Sequence, residues 1–410
     1  MRGWALGIGI LAWGCLLGGC GSKAPAVWPE ITRLEPPYEP AEGSQRTFDR
    51  YVRAARRAES DAPELVQRVS FTPGQKQAAL RKLQPAIQLL RPVEAIPSRF
   101  EFRVYDPLRP PPHHRGWRLL GRALAWQIEA QLESGRTTAA VETLLIATRF
   151  GFDLTAGSAL DAQLGLTIVN EARDALAPAL RSLGAGDLTR LIQGIARLHG
   201  QRPDWQTMIT HEREMMLAAV QSVQNALKSD DWEAIESAMG TDAREAIGWI
   251  RTRKNEDAER IGFFEKWVGE AEIETRALQT GFDQPRAQRQ EMPTFEGETR
   301  PWRRFARHFF RTARPLLAQN DLTTARTRLL LAEAYVLRSI KLKQRSPRDL
   351  GELSMAIRTD PYSGEPLIYR TQGLDYKLYS VGENLRDDSG ETDESGTTPD
   401  LVLLSGSAGP

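Results

Sequence analysis

The sequence predicts a mainly α-helical protein, a body of packed helical hairpins followed by a small C-terminal α+β module. Three observations predict it. Apolar residues recur at helical spacing through most of residues 44–318. The breaks Glu133-Ser134-Gly135 and Gly184-Ala185-Gly186-Asp187 divide that stretch into helix pairs. Beyond residue 360 the pattern changes to alternation, in Leu367–Arg370 and Tyr376–Gly382. Hydrophobic residues make up 41% and charged residues 26% of the 410, which suits a globular chain long enough for more than one core. The formal net charge is +1, so no overall field would draw the chain onto nucleic acid.

Residues 1–19 read as a signal peptide. Arg2 supplies a positive start, and Trp4–Leu17 is an uncharged apolar run too short to span a bilayer. Leu17-Gly18-Gly19-Cys20 then resembles the lipobox of bacterial lipoproteins, with Gly18 slightly off the commonest pattern. The resemblance implies that Cys20 becomes the first residue of the mature chain and carries diacylglycerol on sulfur and a further acyl chain, such as palmitate, on its amino group. Each buried methylene contributes about 0.8 kcal/mol, so several chains hold a protein on a membrane far more firmly than one. Cys15 leaves with the signal, and the mature chain keeps Cys20 alone, which leaves no disulfide framework or cysteine-ligated metal site. Gly21 and Ser22 follow Cys20 in place of the aspartate that retains enteric lipoproteins at the inner membrane, so outer-membrane placement is favoured over inner. Residues 20–43 carry Pro25, Pro29, Pro36, Pro37 and Pro40 without periodicity and are expected to form an extended tether.

A short helix is expected over Thr47–Ala58. A second begins at Thr72-Pro73, where Thr72 can cap and Pro73 fits the first helical position, and runs to about Leu90 with Ala79, Leu80, Leu83, Ile87 and Leu90 on one face. Arg109-Pro110-Pro111-Pro112-His113-His114 then interrupts the chain. Adjacent histidines in an extended segment point apart and no third ligand lies nearby, so a metal site is not expected there.

Helices are expected at Gly116–Leu132, with Trp117, Leu120, Leu124 and Ile128 inward, and at Thr137–Phe150. This helix, turn, helix unit resembles a tetratricopeptide hairpin, although no second copy recurs at a period of about 34 residues. Ser158–Leu183 and Leu188–His199 form the next pair, with Gly184 ending one helix and Asp187 capping the other. Pro203-Asp204 opens an amphipathic helix with Trp205, Met208, Ile209, Met215, Ala219, Val223 and Leu227 on one face. His211-Glu212-Arg213-Glu214-Met215 lacks the second histidine of a zinc-protease helix and reads as a polar flank. Further helices are expected at Asp231–Met239, Asp242–Arg253 and Ala258–Leu278, then an exposed loop at Gly281–Thr299 and a helix at Trp302–Leu317. On the last, Arg303, Arg304, Arg307, Arg311 and Arg314 form a stripe read as a solvated face over a buried aromatic one.

Residues 320–404 form the module. Asn320-Asp321 is expected to cap a helix to about Lys343, Ser363-Gly364 to turn, and three strands to follow in Leu367–Arg370, Tyr376–Gly382 and Asp400–Leu404. Asp360-Pro361 through Tyr369, Tyr379-Ser380-Val381-Gly382-Glu383-Asn384 and Pro399-Asp400-Leu401 resemble the globular domain of the major pseudopilin of type II secretion systems, over about a fifth of the chain. Tyr362 replaces that family's larger aromatic, and no prepilin segment begins the helix. The resemblance implies a calcium loop whose matching positions are Asn384, where the family has aspartate, and Asp400; Asp387 and Asp388 lie in the intervening loop, which is longer than the family's and lacks its aspartate-glycine step, and Glu383 and Asp393 are further oxygen donors for an ion that takes roughly six to eight. The competing reading is an acidic, serine- and glycine-rich disordered loop over Ser389–Thr398. Residues 405–410 read as a frayed tail.

No catalytic constellation is legible. The expected function is that of a lipid-anchored envelope protein whose helical body serves protein interaction or scaffolding, with a protein partner of unknown identity and the membrane held through the N-terminal lipid. The alternatives are an envelope hydrolase using an unrecognised carboxylate pair and an accessory component of a secretion or pilus-like system.

Overall fold

A computed structural model describes residues 38–66, 68, 70–91, 100–105, 111, 113–229, 232–252, 257–291, 300–311, 313–390 and 399–403. The signal, the lipobox with Cys20, most of the tether, Asp393 and the tail lie outside the described residues. The chain is mainly helical: α1 (Thr47–Asp61), α2 (Pro73–Gln88), α3 (His113–Glu133), α4 (Thr137–Leu154), α5 (Ala159–Leu176), α6 (Ala185–Gly200), α7 (Trp205–Ser229), α8 (Glu233–Thr252), α9 (Asp257–Asp283), α10 (Pro301–Phe310), α11 (Ala313–Lys343) and the short α12 (Met355–Arg358). The strands β1 (Ile368–Gln372) and β2 (Asp375–Tyr379) form one antiparallel hairpin.

Local chemistry accounts for several boundaries. Thr72 and Gln75 form a reciprocal capping box with Pro73 at the first position of α2. Helix α3 starts at His113, earlier than Gly116, because a carboxylate meets its orphan amides: Glu59 on α1 accepts the Gly116 N–H at 2.6 Å. Both histidines therefore stand buried in a helical first turn, not in an extended segment. Helix α5 ends at Leu176 and tightens into a 3-10 turn through Ser182, where Pro178 supplies no N–H. Gly184 then takes the N-cap position of α6, and Asp187 lies in its first turn with its carboxylate accepting the Thr137 and Thr138 hydroxyls, each at 2.7 Å.

The second half departs further from expectation. Gly240-Thr241 does not divide α8, because Ile235, Ile247 and Ile250 all anchor it in one core and outweigh an interior glycine's penalty of about 1 kcal/mol. Helix α9 continues to Asp283, past the expected loop start. The helix expected over Trp302–Leu317 is instead broken before Pro315, which is accommodated in the first turn of α11. Asn320 and Asp321 lie inside α11, with no cap and no break at the expected module boundary, because Arg289 clamps the buried Asp321 carboxylate at 2.5 and 2.7 Å. Among the described residues the expected third strand is reduced to one bridge, Ser380 to Leu401. Gly382, with φ +65°, turns the chain away just beyond it, and a Cβ there would lie 2.6 Å from the Pro399 carbonyl.

Two main cores result. The first gathers Tyr51, Leu83, Trp117, Leu124, Phe150, Leu191 and Val336 from α1–α6 and the middle of α11, together with Leu353, Leu367 and Leu378 from the C-terminal module. The second gathers Met208, Val223, Trp267, Phe305 and Leu316 from α7–α10 and the start of α11, with Ala159, Ala162 and Leu166 of α5. Helices α5 and α11 belong to both.

Helices α4 and α5 cross at Gly151 and Gly165, where an added Cβ at Gly165 would lie 2.2 Å from the Gly151 carbonyl oxygen. Gly165→Ala is expected to lower stability by about 1–3 kcal/mol in urea unfolding. Gly248→Ala, in open space on α8, is expected to raise it by about 0.5–1 kcal/mol. Equal effects at the two positions would contradict the close crossing.

Candidate functional site

A densely hydrogen-bonded buried polar cluster surrounds the N-terminus of α5. Ser158 caps the helix, and Asp161 completes the capping box, its Oδ2 accepting the Ser158 N–H and hydroxyl at 2.8 Å each. Asp161 Oδ1 lies 2.6 Å from His114 Nε2 on α3. From α7, Glu212 accepts the Ala159 N–H at 2.8 Å. His211 Nδ1 donates to the Ala156 carbonyl at 2.6 Å and its ring stacks on Phe102 with centroids 3.9 Å apart. The pair expected to be a polar flank is thus part of the joint between α5 and α7, and Glu212 is only 9% exposed.

Serine, histidine and aspartate meet here in an order that serves anchoring. In a hydrolytic triad the imidazole lies between acid and nucleophile. Here Asp161 lies between Ser158 and His114, and all three are buried. Burial opposes ionisation of Asp161, but the His114 imidazole and the Ser158 donors hold its carboxyl below the ordinary range. Burial pushes the neighbouring His113 down to about 3, so its ring is neutral at neutral pH. Burial pushes Glu212 up to about 7, with the Asp161 charge adding to it and the Ala159 amide opposing it.

The four positions implied as calcium ligands occupy the C-terminal module. Asp387 accepts the Tyr379 hydroxyl at 2.8 Å, the Ser389 N–H at 2.9 Å and Arg370 at 2.7 Å. Asn384 donates to Asp388 at 2.7 Å, and Asp400 accepts the Gly390 N–H at 2.7 Å. Among the described residues no three His, Cys, Asp or Glu side chains gather as a metal-ligand group. The residue that sequence reasoning missed here is Asp360. It is buried, accepts the Ser380 hydroxyl at 2.9 Å and the Val381 and Tyr362 amides at 3.0 and 2.9 Å, and so ties the Asp360-Pro361 turn to the end of β2. The arginine stripe is also largely engaged inside the protein: Arg303 pairs with Glu270 at 2.7 Å, Arg314 with Glu274 at 2.9 Å, and Arg304 with Glu245.

An open concavity lies elsewhere, between α4 and α6. It measures about 690 Å³ and is lined along α6 by Gly186, Arg190, Gln193, Gly194 and Arg197, and along α4 by Glu142 and Ile146. The α6 residues recur at helical spacing and form one face. Gly194 brings α6 close to α4, since a Cβ there would lie 2.5 Å from Leu145. Arg91 also lines it. All three arginines are exposed. Arg190 reaches Glu142 only at 3.7 Å and Asp187 at 3.9 Å, and within the described residues no ion pair or hydrogen bond engages the Arg91 or Arg197 guanidinium. None of these residues was singled out from the sequence; the signal available was the glycine and arginine spacing of α6.

The raised Glu212 sets a pH dependence. Its folded pKa lies above the unfolded one, so its ionisation destabilises the fold as pH rises from about 4.5 through about 7. Glu212→Gln retains an acceptor for the Ala159 amide. It is expected to exceed the parent in stability by on the order of 2–3 kcal/mol at pH 8 and to match it near pH 4. Parallel pH profiles in chemical unfolding would contradict that assignment. Compared with known proteins, the chain matches no protein-family model, no curated protein and no solved structure.

Proposed function

We propose that the chain is a bacterial envelope lipoprotein, tethered through acylated Cys20 with outer-membrane placement favoured, whose helical body is a protein-interaction or scaffolding module. In this reading α3–α6 form an irregular, tetratricopeptide-like stack of hairpins. The C-terminal pseudopilin-like module is an accessory packed on α11, and calcium at Asn384, Asp387, Asp388 and Asp400 is a property of that module. No helix among the described residues is long and apolar enough to cross a membrane, which is compatible with anchoring by lipid.

One observation carries the reading. The buried polar clusters are spent on joining helices, whereas the α4/α6 groove presents exposed donors along α6 and at Arg91, and among the described residues no hydrogen bond or ion pair engages Arg91 or Arg197. A groove between helices is a common place for a partner segment to dock.

Two measurements test it. A photo-crosslinking residue at Gln193, exposed in the groove, is expected to give discrete adducts in the native host, and one at exposed Lys341 is expected to give none. The same pattern at both positions would overturn the groove as the interaction surface. Intact mass of the native protein is expected to show a chain beginning at Cys20 and carrying acyl groups. A free thiol at position 20 would overturn the anchoring.

A further inference from the structure

We infer that the α4/α6 groove recognises an extended acidic peptide segment, with Arg190 and Arg197 taking two of its carboxylates. The inference rests on the interaction-module reading and adds the chemistry of the partner.

Charge is the first argument. The groove carries Arg91, Arg190 and Arg197 against Glu142, an excess of cations in a chain whose formal net charge is only +1. Several arginines elsewhere meet carboxylates at hydrogen-bond distance, as Arg289 meets Asp321 and Arg303 meets Glu270, although Arg286 and Arg326 stand 3.7 and 3.8 Å from theirs. In the groove, Arg190 stands 3.7 and 3.9 Å from its nearest carboxylates, too far for hydrogen bonds, and Arg197 has no such neighbour among the described residues. A guanidinium fork matches a carboxylate with two parallel N–H donors, so a ligand carboxylate gains what the protein leaves unmade.

Spacing is the second argument. Arg190 and Arg197 are two helical turns apart on one face of α6, about 10.5 Å along the axis. In a polyproline-type extended chain, residues three apart return to the same side after about 9.3 Å. Two acidic residues separated by two others therefore present their carboxylates at nearly the separation of the two arginines, and the flexible arginine stems absorb the remainder. The face Gly186–Arg197 extends over about 16 Å, long enough for four to five such residues. At the start of α6 the space over Gly186 is open, which admits a backbone lying along that end of the helix.

The test uses a fluorescein-labelled Glu-Pro-Pro-Glu peptide with blocked ends, the matched Gln-Pro-Pro-Gln peptide, and the full mature chain. Saturable binding of the acidic peptide is expected in fluorescence anisotropy, weakened about tenfold by Arg197→Gln or Arg190→Gln and weakened by added salt. Both arginines are exposed, and unchanged thermal unfolding would show that the variants fold. Absence of saturable binding, equal binding of the glutamine peptide, or binding undiminished in both variants would overturn the acidic assignment. Crosslinking at Gln193 reports a partner of any charge, so its adducts would stand even if the peptide failed.

Discussion

Helix α11 contributes Ala313, Leu316 and Leu317 to one core and Leu329, Leu330, Tyr335 and Val336 to the other, while Ala325 between them packs on Tyr362 and Val381 of the C-terminal module. A single helix of 31 residues therefore spans three of the four hydrophobic clusters formed by the described residues. This continuity depends on the pairing of Asp321 with Arg289, because a lone buried carboxylate inside a helix would favour the unfolded chain strongly. The same region draws the segment after α9 onto the module, where the Arg286 and Ala287 amides donate to the Pro361 and Tyr362 carbonyls at 3.1 and 2.9 Å. Helix α6 packs its buried residues Leu191, Ile195 and Leu198 into the first core that α11 shares. Its opposite edge is left to form the groove with α4.

The buried polar contacts follow a common logic. Each ties one element to another, and the Asp161, Glu212 and Asp360 carboxylates do so at places where backbone donors would otherwise be orphaned. Asp161 and Glu212 together serve the first turn of α5 and bring α3 and α7 to it. Tyr51 donates to Asp153 at 2.6 Å, joining α1 to α4, and Arg149 supports the same carboxylate at 3.0 Å. Asp360 does this for the module. Such contacts contribute modestly when made, but leaving one partner buried and unsatisfied costs more than the bond contributes, so they specify which helix meets which. Chemistry that needs a mobile, accessible acid or base is poorly served by groups held in this way, whereas among the described residues the groove arginines Arg91 and Arg197 have no hydrogen bond or ion pair and Arg190 stands 3.7 Å from its nearest carboxylate.

Much of the helical framework was legible because it depends on local signals. Thr72-Pro73 with Gln75, Ser158 with Asp161, and the stripe Trp117, Leu120, Leu124 and Ile128 each mark a helix within a few residues. The misread places are those where a partner distant in sequence decides. Asn320-Asp321 looks like a cap until Arg289 is brought beside it, and His113-His114 look extended until Glu59 meets the amides of that turn. His211-Glu212 look like a solvated flank until the start of α5 arrives from some 50 residues away. The groove was illegible for the same reason: its charge depends on Arg91, Arg190 and Arg197 converging from two separate stretches, and their local surroundings are as mixed as the rest of the chain.

We propose that the chain works by presenting the α4/α6 groove to a partner in its native membrane. Arginine-selective dicarbonyl labelling, read by peptide mass spectrometry, addresses that claim directly. It should be run on the purified protein and on native envelopes, with exposed Arg345 as the reference. Arg190 and Arg197 are expected to react readily in the purified protein and to be shielded in the envelope while Arg345 reacts alike in both. Equal reactivity of the groove arginines in the two preparations would contradict it.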